Sequence, residues 1–173
     1  MNNKMLLGGV LGLAAAVSLA GCNTPTAKPA VDTAKVADAV KGDADQLVTE
    51  VNARDAAKAI AHDAPGTVAM FHGAANIVGV DADLANTKVQ MSDPAMKLAV
   101  SNETVDVAAS GDMAVYHSTY AYTFTDPKTK KPTTENGNWL IGYKQQPDGS
   151  WKIAWNIVSD TPPAAPAAPA MKR

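Results

Sequence analysis

Aromatic side chains with polar tips, set at alternate positions in β-patterned segments, are the groups of this chain best suited to chemistry. Between Met113 and Thr125, Tyr116, Ser118, Tyr120, Tyr122 and Phe124 share one face of an extended strand, and Val115, His117, Thr119 and Ala121 share the other. Further along, Trp139, Ile141 and Tyr143 share a face, as do Trp151, Ile153, Trp155 and Ile157, with Asn156 opposed. If the bulky faces line one cavity, Tyr116, Tyr120, Trp139 and Trp155 give it hydroxyl and indole handles for a small apolar or aromatic molecule. The same side chains also serve a blander end, packing a sheet against helices. Reversed parity would put His117, Asn138 and Asn156 inside, and a single bulge reverses it.

Other chemical templates fail. His62, His72 and His117 show neither an HExxH nor any paired spacing, so no zinc site is indicated. Asp81-Ala82-Asp83 begins like a calcium loop, but Asn86 and Ser92 stand where that loop needs Gly and Glu. There is no GxSxG elbow and no phosphate-binding loop, and no cofactor is expected. With 15 Lys+Arg against 17 Asp+Glu in 173 residues, the chain lacks the basic excess that nucleic-acid binding requires.

The elements that must position these residues are readable in order. Val36, Val40, Ala44, Leu47, Val48 and Val51 recur at helical spacing, predicting a long amphipathic helix from about Asp32, weakened at Gly42. Arg54 to Asp63 predicts a second helix stopped by Pro65-Gly66, followed by a short strand, Thr67 to Phe71. A third helix is expected from Asp81 to Met91, before Pro94. The pattern then turns to β: Lys97–Ala109, a turn at Ser110-Gly111-Asp112, Met113–Thr125, Thr133–Gln146, a turn at Pro147-Asp148-Gly149-Ser150, and Trp151–Val158. Three helices followed by an antiparallel meander make an α+β domain over residues 31–160.

The ends read differently. Lys4 precedes an apolar run, Met5 to Ala20, shorter than the ~20 residues a spanning helix needs. Leu19-Ala20-Gly21-Cys22 resembles the lipobox of bacterial lipoproteins, which implies a signal peptide over residues 1–21 and a lipid on Cys22, the only cysteine. Residues 22–30 then form a tether. The lipid would hold the protein at a membrane facing the periplasm, and Asn23 after the Cys implies the outer membrane rather than the inner. Residues 161–173, TPPAAPAAPAMKR, read as a disordered Pro/Ala tail.

Within the domain, three segments resemble the nuclear transport factor 2-like superfamily, in particular its SnoaL-like, ketosteroid-isomerase-like branch. They are Asn52-Ala53-Arg54-Asp55-Ala56-Ala57, Val107-Ala108-Ala109-Ser110-Gly111-Asp112-Met113-Ala114, and Gln146-Pro147-Asp148-Gly149-Ser150-Trp151-Lys152-Ile153. The resemblance implies a cone, a strongly curved antiparallel sheet wrapped around three N-terminal helices with a pocket at the wide end, and dimerisation through the sheet in many members. It also implies a general-base carboxylate near Met70 to His72, where this chain has none. His72 could substitute. Asp63 stands about where relatives often carry a pocket Tyr; there it would be either a carboxyl of raised pKa or a cap on the helix end. The fold hosts several activities, so three functions stay open: a lipid-anchored domain binding a small apolar molecule without strong catalysis, an isomerase, cyclase or hydratase using Asp63 or His72, and an assembly module acting through its sheet face.

Overall fold

The computed structural model describes residues 31–161. The signal segment, Cys22 and its tether, and the tail from residue 162 onward lie outside the described residues. The elements are α1 (Thr33–Asn52), α2 (Ala56–Ala61), β1 (Asp63–Phe71), β2 (Ile77–Val78), α3 (Val80–Met91), β3 (Lys97–Val107), β4 (Met113–Thr125), β5 (Pro132–Gln145) and β6 (Trp151–Asp160). No helix among the described residues is long and apolar enough to cross a membrane.

Helix α1 starts where the side chain of Asp32 accepts from the Lys35 amide at 3.1 Å, taking up one of the free N–H groups of the first turn. It runs unbroken through Gly42 and buries Val40, Ala44, Leu47 and Glu50, a stripe at three- and four-residue spacing. Asp55 caps α2 in the same way, accepting from the Lys58 amide. Between the two helices Arg54 has φ 61°, and its guanidinium donates to the carbonyls of Met91, Asp93, Pro94 and Met96 at 2.6–3.3 Å. One side chain thus fastens the α1–α2 turn to the α3–β3 connection. Asp93 extends the clasp by accepting from the Thr125 amide and hydroxyl at the end of β4.

The sheet has six strands in the order β2-β1-β6-β5-β4-β3. Strands β3 to β6 form the expected antiparallel meander. The sheet as a whole is mixed, because β1 lies parallel to β6. This corrects the expectation of a wholly antiparallel sheet: β1 comes straight from the helices and reaches β6 only through tertiary packing, which no local pattern encodes. It also starts earlier than expected, at Asp63, and absorbs Pro65-Gly66 as an irregularity. Five residues from Asp63 to Val68 advance the pairing by only two on β6, from Ile153 to Trp155.

The core lies between α1, α2 and the concave face of the sheet. Tyr116, Ile141, Tyr143 and Ile153 are essentially fully buried there, and each such side chain contributes about 1.5–3 kcal/mol of burial free energy. Two glycines on β5 set the sheet's local shape. At Gly137 a Cβ would meet Ser159 O at 2.2 Å and the Tyr120 ring at 2.6 Å, so its absence lets Tyr120 fold across the strand. At Gly142 a Cβ would meet the Trp155 ring at 2.4 Å on the sheet's other face.

Candidate functional site

The concave face does not fill with side chains everywhere. Between α1, α2, α3 and the sheet remains a cavity of about 400 Å³, within the range of small-molecule sites. Its walls are mainly apolar. Leu47 and Ile60 come from the helices, Met91 and Met96 from the connection fastened by Arg54, and Phe71, Tyr120, Tyr122, Phe124 and Trp139 from the strands. Tyr122 and Phe124, two residues apart on β4, stack at 5.8 Å with their planes 19° apart. The exposed His72 and Ala74 mark the mouth.

Two groups of polar atoms interrupt this lining. The first is a carboxyl pair, Asp63 at the start of β1 and Asp83 in the first turn of α3. Asp83 is 4% exposed. Asp63 Oδ2 is sealed from solvent and accepts from no donor of ordinary protonation state. The group within its hydrogen-bond reach is the other carboxyl, and two carboxyls bond only when one keeps a proton. Burial, then the charge of Asp83, then that bond push the Asp63 pKa up to about 8. Burial also raises Asp83, while the bond from Asp63 opposes the rise. Asp83 is the member better placed to carry the charge, since the free N–H groups of the first turn of α3 favour an anion there. Near neutrality Asp63 therefore keeps its proton.

The second group stands toward the mouth. Glu135 on β5 takes the Tyr120 hydroxyl on one oxygen and lies 3.2 Å from His72 Nε2 with the other; His72 Nδ1 is 3.7 Å from Asp160. Burial, and then the Glu135 carboxylate, raise the Tyr120 pKa, so this phenol stays a donor. On the wall, Trp139 Nε1 donates to Asn156 Oδ1 at 2.7 Å.

The sequence-derived candidates separate in this setting. Asp63, His72, Tyr120 and Trp139 all line the cavity. Tyr116 does not: fully buried, it meets Trp139 edge-on at 6.0 Å from behind and donates to Glu103 Oε2 at 3.0 Å, against α1. Trp155 does not line it either. Gly142 pairs with Trp155 and Tyr143 with Ile153, leaving Ala154 as an extra residue in β6. This bulge turns Asn156 and Val158 into the cavity and Trp155 outward, where Lys144 Nζ lies 4.5 Å from its ring centre. Asp63 is the carboxyl of raised pKa rather than a helix cap: α2 ends at His62, and Asp63 already belongs to β1.

Asp83, Asn86 and Glu135 are polar lining residues that sequence reasoning missed, whereas Asn156 enters by the bulge-reversed parity that the sequence left open. Asp83 had one available signal, its place in the first turn of α3, but α3 shows no apolar stripe to indicate which face turns inward.

No protein-family model matches the sequence, and no curated protein matches it. Solved structures do. A nuclear transport factor 2-like superfamily protein from Salmonella enterica matches with a TM-score of 0.64 at 14% identity, over 82% of this chain and 99% of its own. The fold is nuclear transport factor 2-like. A ketosteroid isomerase-like protein from Erwinia carotovora matches at 0.61 and 23% identity, over 73% of this chain and 96% of its own. A candidate scytalone dehydratase from Novosphingobium aromaticivorans matches at 0.62 and 14% identity, over 72% and 83%. At these identities the likeness extends to the cone and its curved sheet. What the nuclear transport factor 2-like cone does in this chain has to be argued from its own lining.

Proposed function

We propose that this chain is a lipid-anchored envelope protein whose cone holds a small, mostly apolar molecule. One observation carries the reading: the concave face leaves about 400 Å³ unfilled and lines it with aromatic and aliphatic side chains around a few convergent polar groups. A cavity that opens at a mouth and is walled by apolar side chains offers a small molecule hydrophobic area to bury. The anchoring rests on the lipobox-like Leu19-Ala20-Gly21-Cys22, and metabolic lipid labelling that is lost in Cys22→Ala tests it.

The cavity is tested by titrating the purified protein with 4-phenyl-1-butanol, a neutral apolar probe, and following heat or tryptophan fluorescence. Saturable binding that weakens about tenfold or more in Trp139→Ala is expected. Absence of saturable binding by the folded protein would overturn the reading.

The carboxyl pair favours a second reading. With Asp63 protonated beside Asp83, the cavity offers an acid and a base side by side, the equipment for proton transfer in an isomerase or hydratase. The ketosteroid isomerase-like and dehydratase names among the fold neighbours point the same way. Turnover of an enolisable ketone with a pH dependence that disappears in Asp63→Asn would establish it; equal turnover in the variant would remove Asp63 from that role.

A further inference from the structure

The cavity's charge is one-sided. Three carboxyl groups line it, Asp63, Asp83 and Glu135, and among the described residues no Lys or Arg does. Its only basic lining group, His72, sits at the mouth against Glu135 and Asp160. The basic groups whose charge reaches Asp63 are not among the lining residues and have other partners: His62 is held between Asp43 and Glu50, and Lys152 donates to Ala61 O. An anionic ligand would meet these carboxyls with no Lys or Arg to offset them, and among the described lining residues the one buried donor left without a partner is Asn86 Nδ2. The aromatic lining of Phe71, Tyr122, Phe124 and Trp139 is compatible with the same preference, because aromatic rings attract cations to their faces.

The pair itself lacks something. Asp83 is 4% exposed, and Asp63 Oδ2 is sealed from solvent without a donor. In the empty cavity only a retained proton keeps the two carboxyls together. A buried acid pair is expensive to fold, and a cation placed against it supplies the missing partner.

We infer that the cone takes a small apolar molecule bearing one ammonium group, the charge seated against Asp63 and Asp83 and the carbon skeleton among the aromatic side chains. This rests on the ligand-binding reading above and names its ligand class. Proton balance follows: the ammonium arrives charged, Asp63 passes its proton to solvent, and the complex holds two carboxylates against one cation. The groups facing Asp63 are Asp83 from α3, the adjoining His62, Lys152 from β6 and Tyr143 from β5. As the ammonium displaces the Asp63 proton, affinity climbs by up to about tenfold per pH unit below pH ~8 and levels above it.

The test compares three probes on one skeleton: 4-phenylbutylammonium, 4-phenyl-1-butanol and 4-phenylbutyrate. Calorimetry of the whole protein in two buffers of different ionisation enthalpy counts protons released. Expected are binding of the ammonium at least about tenfold tighter than the alcohol, release of up to one proton per molecule near pH 7, and loss of both in Asp63→Asn and Asp83→Asn. Asp63→Asn replaces a protonated carboxyl with a neutral group of nearly the same shape, and an unchanged circular-dichroism spectrum with a cooperative melt verifies that the fold is kept. Alcohol and ammonium binding equally, or butyrate binding best, would overturn the inference and leave the cavity reading standing. Ammonium selectivity that survives Asp63→Asn, or that releases no proton, would overturn it too. Failure of all three probes to bind would remove both.

Discussion

His62 and Asp63 are neighbours in sequence and opposites in environment. His62 turns behind the cavity wall, where Asp43 Oδ1 lies 2.8 Å from Nδ1 and Glu50 Oε2 lies 2.9 Å from Nε2; Gln46 donates to the remaining Glu50 oxygen. Both ring nitrogens are matched, and the bond to Asp43 leads in raising the imidazole pKa against the opposing pull of burial. Asp63 turns into the cavity and meets another carboxyl. One cluster sets an imidazole of the chain between its two carboxyls, leaving only Asp43 Oδ2 without a hydrogen bond; the other brings two carboxyls together around a retained proton. The paired cluster builds the wall, and the unpaired one waits for a partner that the chain does not supply. Buried carboxyls that hold a base of the chain between them argue for architecture, and carboxyls brought together beside a cavity without one argue for a ligand.

The largest expected effect tests the paired side. His62→Ala leaves the buried Glu50 carboxylate and the partly buried Asp43 without the imidazole between them, at a cost of about 3 kcal/mol, the low end for a broken buried pair. Denaturant unfolding near pH 6 measures it, and a loss below ~1 kcal/mol would break the contrast drawn here. The sign with pH is fixed: because the folded pKa of His62 lies above 6.5, its contribution is complete below pH 6.5 and drains away as pH rises through the raised value.

Asp63→Asn should do the reverse. The folded pKa of about 8 lies far above the ordinary 3.8, so the protonated carboxyl's contribution is complete below about pH 4 and is lost as pH climbs to about 8. Asparagine does not ionise and escapes this loss. The variant should match the parent near pH 4 and exceed it near pH 8 by roughly 2 kcal/mol, a figure discounted for the side chain's partial exposure to cavity water. Melting the two proteins across that range decides it; a variant less stable at pH 8 would mean that Asp63 is internally paired after all. Asp83→Asn has a smaller effect. Removing its charge takes away the second cause of the Asp63 shift and leaves burial, the first. The Asp63 carboxyl band in infrared difference spectra should then titrate at lower pH, yet still above 3.8.

Local chemistry made much of this architecture readable. The α1 stripe, the aromatic face of β4 and the Pro147-Asp148-Gly149-Ser150 turn each express a period or a turn preference within a dozen residues, and the structure has them where expected. Tyr120 and Trp139 were legible as lining for the same reason. The parallel pairing of β1 with β6 joins segments more than eighty residues apart. Asp83 was hidden because α3 buries only Asp83 and Met91, a pattern with no amphipathic stripe to read. The pairing of Asp63 with Asp83 joins the start of β1 to α3; the β1 irregularity is marked by Pro65-Gly66, which reads equally as a helix stop, and the docking of α3 leaves no mark on the sequence.

The same contrast between inner and outer positions holds across the sheet, and it yields the smallest expected effect. Strict alternation along β6 would place Trp151, Ile153, Trp155 and Ile157 together on the inner face. The extra residue at Ala154 breaks the alternation after Ile153, sending Trp155 out onto Gly142 and under the Lys144 ammonium while Asn156 turns in to accept from Trp139. Trp155→Phe keeps an aromatic ring over Gly142 and touches nothing in the cavity. Binding of 4-phenyl-1-butanol should therefore stay within about twofold of the parent, against about tenfold or more for Trp139→Ala. The fluorescence response to ligand should likewise survive loss of Trp155, because that indole reports from the far side of the wall. If Trp155→Phe weakens binding as much as Trp139→Ala does, β6 follows strict alternation in solution, and the cavity's polar wall at Asn156 belongs outside.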